Sequence, residues 1–231
     1  MWLPGFYRRN PYGSWITLGP LASTLAPEFH VLTHATAERL LPETKFPDYA
    51  ISHGAGVIRP ATQCPSPNQD DRPQAMEPEL IIIHSISLPP GKFGGPEIQQ
   101  LFTNCLDCDA HPYFDALRDL EVSAHLLIRR NGDIIQFVPF GRRAWHAGQS
   151  HFRGRSRCND FSIGIELEGD DETPYSDAQY LHLAGVIRAL FKRYPAITAR
   201  HIAGHCDVAP GRKTDPGPVF DWLRLYDGLC A

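Results

Sequence analysis

Five polar side chains have the types and surroundings needed for a hydrolytic site. His84 ends a strongly apolar run, and Glu166 lies on the polar side of an alternating segment. His205 and Asp215 bracket a Gly- and Pro-rich loop that also carries Lys213. Binding and catalytic sites are usually built from polar residues at strand ends and in such loops. We therefore expect these side chains to meet if the fold joins the three segments.

The chemistry that this set would support is metal-assisted hydrolysis of an acyl bond. Two histidines and one carboxylate, here His84, His205 and Asp215, are the usual number of protein ligands for a catalytic zinc ion. A carboxylate outside that set, Glu166, would act as general base. The ammonium group of Lys213 would stabilise the oxyanion of a tetrahedral intermediate.

The sequence also leaves other assignments open. His84 and His205 are far apart in the chain, so no local metal-binding motif joins them. His125 and His146 are equally plausible ligands on local grounds. The remaining side chains also fit purely structural roles: a turn at Asp215, a solvated charge at Lys213, and an ion pair of Glu166 with Arg157.

The segments that must position these side chains are predicted to form a mixed sheet. The β-branched run at 80–84 indicates a buried strand. Residues 161–168 alternate apolar and polar side chains with the period of a strand. Residues 122–129 and 134–138 flank an Asn-Gly turn, which is the strongest short hairpin signal.

Helices are predicted to alternate with these strands. The clearest one begins at a capping box of Ser176 and Gln179, carries one apolar stripe to Tyr194, and is stopped by Pro195. Shorter elements are predicted at four places: helices over 35–41, over 96–103 and after Pro218, and a strand or turn over 201–205. The fold class is therefore α+β (α/β-like), a single domain with a central mixed β-sheet flanked by helices.

The first third of the chain shows little regular pattern. Residues 1–55 hold scattered prolines without sustained periodicity. Residues 60–79 are polar and Pro-rich, which predicts a loop or linker. We therefore expect dense packing to begin at about residue 78.

Composition excludes several classes of function. The 231 residues include 42% hydrophobic and 21% charged side chains, with a formal net charge of -4. The chain has no block of five like charges, so nucleic acid is not an expected partner. No apolar run reaches the length of about 18 residues that a membrane span needs.

The cysteines and the N-terminal segment bear on the cellular compartment. Cys105 and Cys108 have CxxC spacing, which fits a redox pair or half of a zinc site, but no second CxxC follows. We expect the thiols to be reduced. Arg8 and Arg9 precede a mildly apolar stretch that weakly resembles an export signal, but glycines and Pro20 interrupt it. A cytoplasmic protein is expected, with export as the alternative.

Four segments of the chain resemble one enzyme family. They contain the motifs IIIHS (from residue 81), VSAHLLIRRNGDIIQFVPFGRRAWHAG (from 122), RCNDFSIGIELEG (from 157) and GHCDVAPGRKTDPG (from 204). These motifs resemble the 1,6-anhydro-N-acetylmuramyl-L-alanine amidases of bacterial cell-wall recycling, a group of the type 2 N-acetylmuramoyl-L-alanine amidases. That family is related to phage T7 lysozyme and peptidoglycan-recognition proteins. The resemblance runs from about residue 56 to residue 226.

The resemblance implies a site and a reaction. By motif, it implies one zinc ion per chain on His84, His205 and Asp215, with Glu166 and Lys213 as catalytic residues. Glu166 is implied to take a proton from the attacking water and to pass it to the leaving amine. The bond cleaved is the amide between the lactyl group of anhydro-N-acetylmuramic acid and L-alanine. The implied partner is a muropeptide substrate, and no obligate protein partner is implied.

The substrate-binding positions partly match the family and partly depart from it. The resemblance implies that Ser85, Trp145, Arg157 and Ala209 contact the substrate. Ser85 stands where relatives often have Asn, and Glu121 stands where they often have Arg. A carboxylate in place of a guanidinium replaces attraction of a sugar acid by repulsion. We therefore expect activity, with a substrate preference that these two positions influence.

The resemblance also divides the chain and defines the competing hypotheses. Residues 1–55 are predicted to be an N-terminal extension of unknown role, and 56–231 the zinc amidase domain. One competing hypothesis is an exported amidase that acts on intact peptidoglycan. Another is a muropeptide-binding module without catalysis, which the complete set of metal and catalytic residues disfavours. A third, a CxxC redox protein, depends on Cys105 and Cys108 alone.

Overall fold

A six-stranded mixed sheet carries three of the residues that the sequence predicts to form the site, His84, Ser85 and Glu166. The computed structural model describes residues 46–73 and 76–230, and two short strands nearer the N-terminus. The six strands lie side by side in this order: β14 (Ile202–Gly204), β7 (Leu80–Ile86), β13 (Ser162–Glu168), β8 (Leu126–Ile128), β9 (Ile134–Gln136) and β5 (Thr62–Gln63). Neighbouring strands are parallel except β8 and β9, which form the predicted antiparallel hairpin. The prediction of a mixed sheet is confirmed.

The other described strands form two-stranded antiparallel ladders. They are β1 (Tyr7–Arg9) with β2 (Trp15–Thr17), β3 (Ala50–Ile51) with β4 (Ile58–Arg59), β6 (Gln69–Asp71) with β10 (Arg142–Ala144), and β11 (His151–Phe152) with β12 (Arg155–Ser156). The first ladder belongs to one unit of the chain, Met1–Thr44, and the remaining elements to a second, Lys45–Ala231. The helix predicted over 35–41 lies outside the described residues. The predicted boundary after residue 55 stays a prediction.

Among the described residues, four α-helices accompany the sheet. They are α1 (Glu97–Phe102), α2 (Asp177–Arg193), α3 (His205–Val208) and α4 (Trp222–Cys230). The capping box predicted at the start of α2 is present, because the Ser176 hydroxyl accepts from the backbone N–H of Gln179 at 3.1 Å and the Gln179 side chain accepts from the Ser176 N–H at 3.0 Å. Within the described residues, no helix has both the length and the apolar character needed to cross a membrane.

The two faces of the central strands have different neighbours. Ile83 of β7 and Ile165 of β13 pack with Ile187 of α2 in the largest apolar cluster. Side chains alternate between the faces of a strand, so His84 and Glu166 lie on the face away from α2. Each fully buried aliphatic side chain contributes roughly 1.5–3 kcal/mol to folding. The helix-covered face therefore anchors the two strands, and the opposite face carries the site.

Two expectations about the first third of the chain are wrong. Residues 60–79 are not only a loop or linker, because β5 pairs with β9 at the sheet edge and β6 pairs with β10. Dense packing also begins well before residue 78, since Tyr49 and Ile58 are buried in the main apolar cluster. Sequence composition missed these segments because they are stabilised by partners far along the chain.

Candidate metal centre and active site

Three of the predicted side chains converge near the carboxyl ends of the central strands. His84 Nδ1 lies 3.0 Å from His205 Nδ1 and 3.1 Å from Asp215 Oδ2, and His205 Nδ1 lies 3.0 Å from the same oxygen. Both imidazoles are buried, and the carboxylate is largely buried. Across residues 46–73 and 76–230, this is the one cluster of three or more His, Cys, Asp or Glu side chains close enough to share a metal ion. The structure therefore contains a candidate His-His-Asp metal site.

Each member of the cluster is placed by a short structural element. His84 lies near the end of β7, and His205 begins α3 directly after β14, the neighbour of β7. Asp215 lies on the loop after α3, and its main-chain carbonyl accepts from the Cys206 N–H at 2.9 Å. The buried hydroxyl of Tyr175 donates to the carbonyl of the residue after Asp215 at 2.7 Å. Hydrogen bonds to two consecutive main-chain carbonyls, those of Asp215 and of the residue after it, thus hold the loop in place.

The pKa values of His84 and Asp215 are both lowered in this cluster, for different physical reasons. Burial lowers the pKa of His84 to about 4, although the hydrogen bond with Asp215 acts in the opposite direction. Burial alone would raise the pKa of Asp215, but hydrogen bonds with His205 and His84 outweigh it and hold that pKa well below its ordinary value. At neutral pH the cluster therefore offers an uncharged His84 imidazole, with one free ring nitrogen, and an ionised carboxylate, the states in which these groups bind a metal.

Glu166 approaches the cluster from the neighbouring strand. It is the cross-strand partner of His84 in the register of β13 and β7. Its side chain is buried, and its Oε2 atom has no hydrogen-bond partner among the described residues. Burial raises the pKa of Glu166 well above its ordinary value, the negative charge of Asp215 adds to this, and the positive charge of Lys213 opposes it. A buried carboxylate with a raised pKa and a free oxygen is suited to accept a proton.

All of these side chains line one cavity of about 760 Å³. Lys213, an exposed residue of the Asp215 loop, lines the same cavity. Part of the wall is apolar and is formed by the following residues: Leu88, Leu101, Phe102, Tyr113, Leu117 and Leu120. Ligand pockets typically occupy about 300–1,000 Å³, so the cavity can enclose a ligand of several chemical groups.

The residues predicted to bind substrate are divided between two cavities. Ser85 lines the cavity of the candidate metal site. Arg157 and Ala209 line a second cavity of about 510 Å³. Arg212 lines both cavities, so the two adjoin at this side chain. The structure therefore brings Ser85, Arg157 and Ala209 to neighbouring surfaces rather than to one pocket.

Three other sequence expectations have a different structural setting. Trp145 lines neither of these two cavities, and it acts on Asp70, whose pKa is lowered first by the hydrogen bond with Arg143 and further by Trp145. Glu121 lines a third cavity of about 390 Å³, which adjoins the cavity of the candidate metal site at Leu101, Leu117 and Leu120. The alternative ion pair of Glu166 with Arg157 is wrong, since the Arg157 guanidinium lies 3.2 Å from a carboxylate of its own segment, three residues along the chain.

His125 and His146, which the sequence left open as alternative metal ligands, contact other partners. His125 is buried, and its Nδ1 accepts from the Gly164 N–H at 3.0 Å while its Nε2 donates to the Arg142 carbonyl at 3.1 Å. His146 Nδ1 lies 2.9 Å from His84 Nε2, on the side of that imidazole away from the cluster. Neither histidine belongs to the candidate metal site. His146 nevertheless contacts one of its members, which sequence reasoning missed.

The sequence and the fold have counterparts among known amidases. The family described as N-acetylmuramoyl-L-alanine amidase matches residues 74–218. The 1,6-anhydro-N-acetylmuramyl-L-alanine amidase AmpD of Citrobacter freundii is 60% identical over 170 residues, covering 74% of this chain and 90% of that protein. AmpD of Haemophilus influenzae is 51% identical over 174 residues, covering 75% of this chain and 95% of that protein. A crystal structure of a selenomethionine AmpD derivative aligns with a TM-score of 0.75 at 56% identity and covers 78% of this chain and 99% of that chain. As its motifs indicate, the chain belongs to the N-acetylmuramoyl-L-alanine amidase family.

Proposed function

We propose that this chain is a zinc-dependent amidase that releases the peptide from anhydro-muropeptides during peptidoglycan recycling. The bond cleaved joins the lactyl group of 1,6-anhydro-N-acetylmuramic acid to L-alanine. The observation that carries the proposal is the cluster of His84, His205 and Asp215 beside Glu166, all lining one cavity. The substrate is assigned from the AmpD relatives, whose name states that they are anhydro-N-acetylmuramyl-L-alanine amidases.

The cluster fits a zinc ion. Zinc binds imidazole nitrogen and carboxylate oxygen at about 2.0–2.2 Å in a tetrahedron, which places the ligand atoms about 3.3–3.6 Å apart. The three candidate atoms of His84, His205 and Asp215 lie 3.0–3.1 Å apart, so a small outward shift of the side chains gives that spacing. We therefore assign one zinc ion per chain to these three residues. The chemistry that zinc supplies when bound is Lewis acidity toward water and toward a carbonyl oxygen.

Glu166 moves the proton in this proposal. Its carboxylate takes a proton from the attacking water, and the carboxylic acid so formed gives the proton to the leaving amine. The cycle restores the Glu166 carboxylate and yields one carboxylic acid and one free amine. The raised pKa of Glu166, caused first by burial, favours the first of these transfers.

Lys213 stabilises negative charge at the reacting carbonyl. Its ammonium group acts electrostatically on the site, because its positive charge lowers the pKa of both Glu166 and His84. Its side chain is exposed at the cavity, so it can approach the oxyanion without losing a structural partner. A preorganised donor of this kind typically contributes a factor of about 10²–10³ to turnover.

The two adjoining cavities suit a substrate that joins a sugar acid to a peptide. We assign Ser85, Arg157 and Ala209 to substrate binding, since they line these cavities and lie at the family's substrate-binding positions, with Ser85 in place of the Asn that relatives often have. The assignment of Trp145 rests on the motif alone. The guanidinium of Arg157 is exposed and can meet a carboxylate or a carbonyl of the substrate.

A cytoplasmic location is part of the proposal. Each of the six cysteines is free, including the CxxC pair Cys105 and Cys108, which suits a reducing compartment. Cell fractionation provides the test. Recovery of the protein in the cytoplasmic fraction at full length is expected. Recovery in the periplasm, shortened by about 15–30 residues as after removal of a signal peptide, would support the exported amidase instead.

Mass spectrometry on two substrates tests the activity. The purified chain should release peptide from anhydro-N-acetylmuramyl-tripeptide, lose this activity with a zinc chelator, and regain it on addition of Zn²⁺. Intact peptidoglycan, incubated in parallel, should remain uncleaved. Comparable cleavage of intact peptidoglycan would contradict the recycling role, and binding of the tripeptide without cleavage would identify a binding module.

A further inference from the structure

Two consecutive residues contact both histidines of the candidate metal site. The side chain of His146 meets His84, with His146 Nδ1 at 2.9 Å from His84 Nε2. The main-chain oxygen of the next residue, Ala147, lies 3.3 Å from His205 Nε2. In each histidine the nitrogen that meets this dipeptide is the opposite one from the nitrogen that faces Asp215.

We propose that His146 and Ala147 form the positioning element of the metal centre and fix the tautomer and ring orientation of His84 and His205. A histidine that binds a metal through Nδ1 must carry its proton on Nε2. His84 then donates from Nε2 to His146 Nδ1, and His205 donates from Nε2 to the Ala147 carbonyl. Such partners orient metal-binding imidazoles and increase their basicity. The role requires that both histidines bind zinc, and so it rests on the proposed function.

The surroundings of His146 provide the tautomer that this role needs. Its Nε2 lies 3.2 Å from the hydroxyl of Ser162, a fully buried residue of β13. When Nδ1 of His146 accepts from His84, its own proton lies on Nε2 and can be donated to the Ser162 oxygen. Both ring nitrogens of His146 therefore have partners, and the orientation of the ring is tied to the central sheet.

The main chain of the dipeptide is held by two further side chains. Asn159 Oδ1 accepts from the N–H groups of His146, at 3.2 Å, and of Ala147, at 2.8 Å. Arg212 donates to the Ala147 carbonyl at 2.7 Å, on the oxygen that also meets His205. The dipeptide is therefore fixed at its amide nitrogens and at its second carbonyl.

Gly164 provides the space for the His146 ring. A Cβ atom at position 164 would lie 2.5 Å from both Cγ and Nδ1 of that ring. Glycine inside a buried strand weakens the strand, and its presence there often marks a close approach of another group. In β13 the approaching group is the imidazole that contacts His84. The absence of a side chain at Gly164 thus leaves the space that the His146 ring occupies.

The zinc affinity of the purified full-length chain, measured by competition with a chromophoric chelator, tests this role. His146→Ala removes the acceptor and is expected to weaken zinc binding about 10- to 100-fold. His146→Gln offers an amide oxygen to His84 Nε2 and should recover part of the affinity. The matched control is His182→Gln on α2, which removes a histidine bonded to Tyr49 and should keep the zinc affinity.

A double-mutant cycle with Gly164→Ala separates positioning from general damage. Alone, Gly164→Ala should weaken zinc binding because the new methyl group displaces the His146 ring. In the His146→Ala background the same change should have no further effect, since the ring is absent. The visible spectrum of the Co²⁺-substituted chain should change in His146→Ala and Gly164→Ala, because the ligand geometry changes, and should stay the same in His182→Gln.

The possible outcomes distinguish this role from the proposed function. A wild-type chain that binds no zinc overturns both. Wild-type zinc binding, with unchanged affinity and Co²⁺ spectrum in His146→Ala and Gly164→Ala, overturns the positioning role alone. If His146→Ala does not fold, His146→Gln and Gly164→Ala decide by the same two measurements.

Discussion

Glu166 and His84 are directly opposed in the parallel register of β13 and β7. The two side chains therefore lie on the same face of the sheet, away from α2. A slip of one residue between the strands would turn Glu166 toward the helix-covered face. The distance between the candidate base and the candidate metal site is thus set by the pairing of two buried strands.

Glu166→Gln tests the role of this carboxylate. The amide keeps the shape of the side chain but cannot accept a proton from water, so we expect kcat to fall about 10²- to 10⁴-fold. Zinc content should stay at one ion per chain, because Glu166 is not in the His-His-Asp cluster. Turnover is measured by peptide release and zinc by atomic spectroscopy. Near-normal turnover would remove Glu166 from the mechanism.

The same variant has an expected effect on stability. The raised pKa of Glu166 means that the folded chain holds a proton that the unfolded chain releases above about pH 4.5. Folding stability therefore decreases as the pH rises from that value toward the folded-state pKa. Gln removes this loss, so the metal-free variant should unfold at a higher temperature than the metal-free wild type at pH 7. A lower unfolding temperature would contradict the unpaired burial of this carboxylate.

His84→Ala tests the metal site itself. The substitution removes one of three protein ligands, and we expect zinc to fall well below one ion per chain after dialysis against dilute chelator. His125→Ala is the matched control, because His125 is equally buried but outside the cluster. Atomic spectroscopy of both variants gives the result. One tightly held zinc ion in His84→Ala would contradict the assignment of this ligand.

His125 is expected to make the protein sensitive to acid. Burial, followed by the positive charge of Arg72, lowers its pKa well below 6.5. As the pH falls below about 6.5, His125 is protonated in the unfolded chain but not in the folded chain. Its contribution to stability is therefore complete above that pH and is lost as the pH falls below it. The expected slope reaches about 1.4 kcal/mol per pH unit. Urea unfolding between pH 7.5 and 5 measures the slope. We expect the slope to be flatter in His125→Gln than in a variant of the exposed His151. Equal slopes in the two variants would refute the role of His125 in the acid sensitivity.

The regular elements of this fold could be predicted from the sequence because their signals are local. The β-branched run of β7, the Asn-Gly turn between β8 and β9, and the capping box of α2 each specify structure within about a dozen residues. The family motifs also identified the three residues that form the candidate metal site. In these cases neighbouring residues or a known pattern contain the information.

Contacts that depend on distant segments could not be predicted in the same way. Arg72 lies in a stretch whose composition predicts a loop, yet its guanidinium donates to four main-chain carbonyls that belong to segments 68 to 90 residues away. His146 lies in an irregular segment, and its contact with His84 spans 62 residues. The one local signal for it was Gly164, a glycine within a strand, which indicates a close approach but not by which group.

The sequence also could not separate two carboxylates of one motif. Glu166 and Glu168 lie on the same face of β13, but Glu168 is paired at 2.7 Å with Arg129 and accepts from the Gly94 N–H at 2.6 Å. Glu168→Ala would leave the buried charge of Arg129 without a carboxylate, with only Gln99 Oε1 still accepting from it at 2.8 Å. We therefore expect a loss of about 3–5 kcal/mol of unfolding free energy, measured in urea. The double variant with Arg129→Ala should recover part of this loss. A loss below about 1 kcal/mol for Glu168→Ala would show that the pair is not structurally important.

Lys213→Met separates the oxyanion role of this ammonium group from metal binding. Met keeps most of the side-chain length without the charge, so we expect zinc content to be unchanged and kcat/KM to fall about 10²- to 10³-fold. The positive charge of Lys213 also lowers the pKa of Glu166, so its removal should raise that pKa further and move the acid limb of the pH–rate profile to higher pH. Lys213→Arg keeps the charge and should restore part of kcat/KM and most of the pH–rate profile. The control is Lys192→Met on the exposed surface of α2, which should change neither quantity. A wild-type rate and an unaltered pH–rate profile in Lys213→Met would show that other groups of the site stabilise the oxyanion.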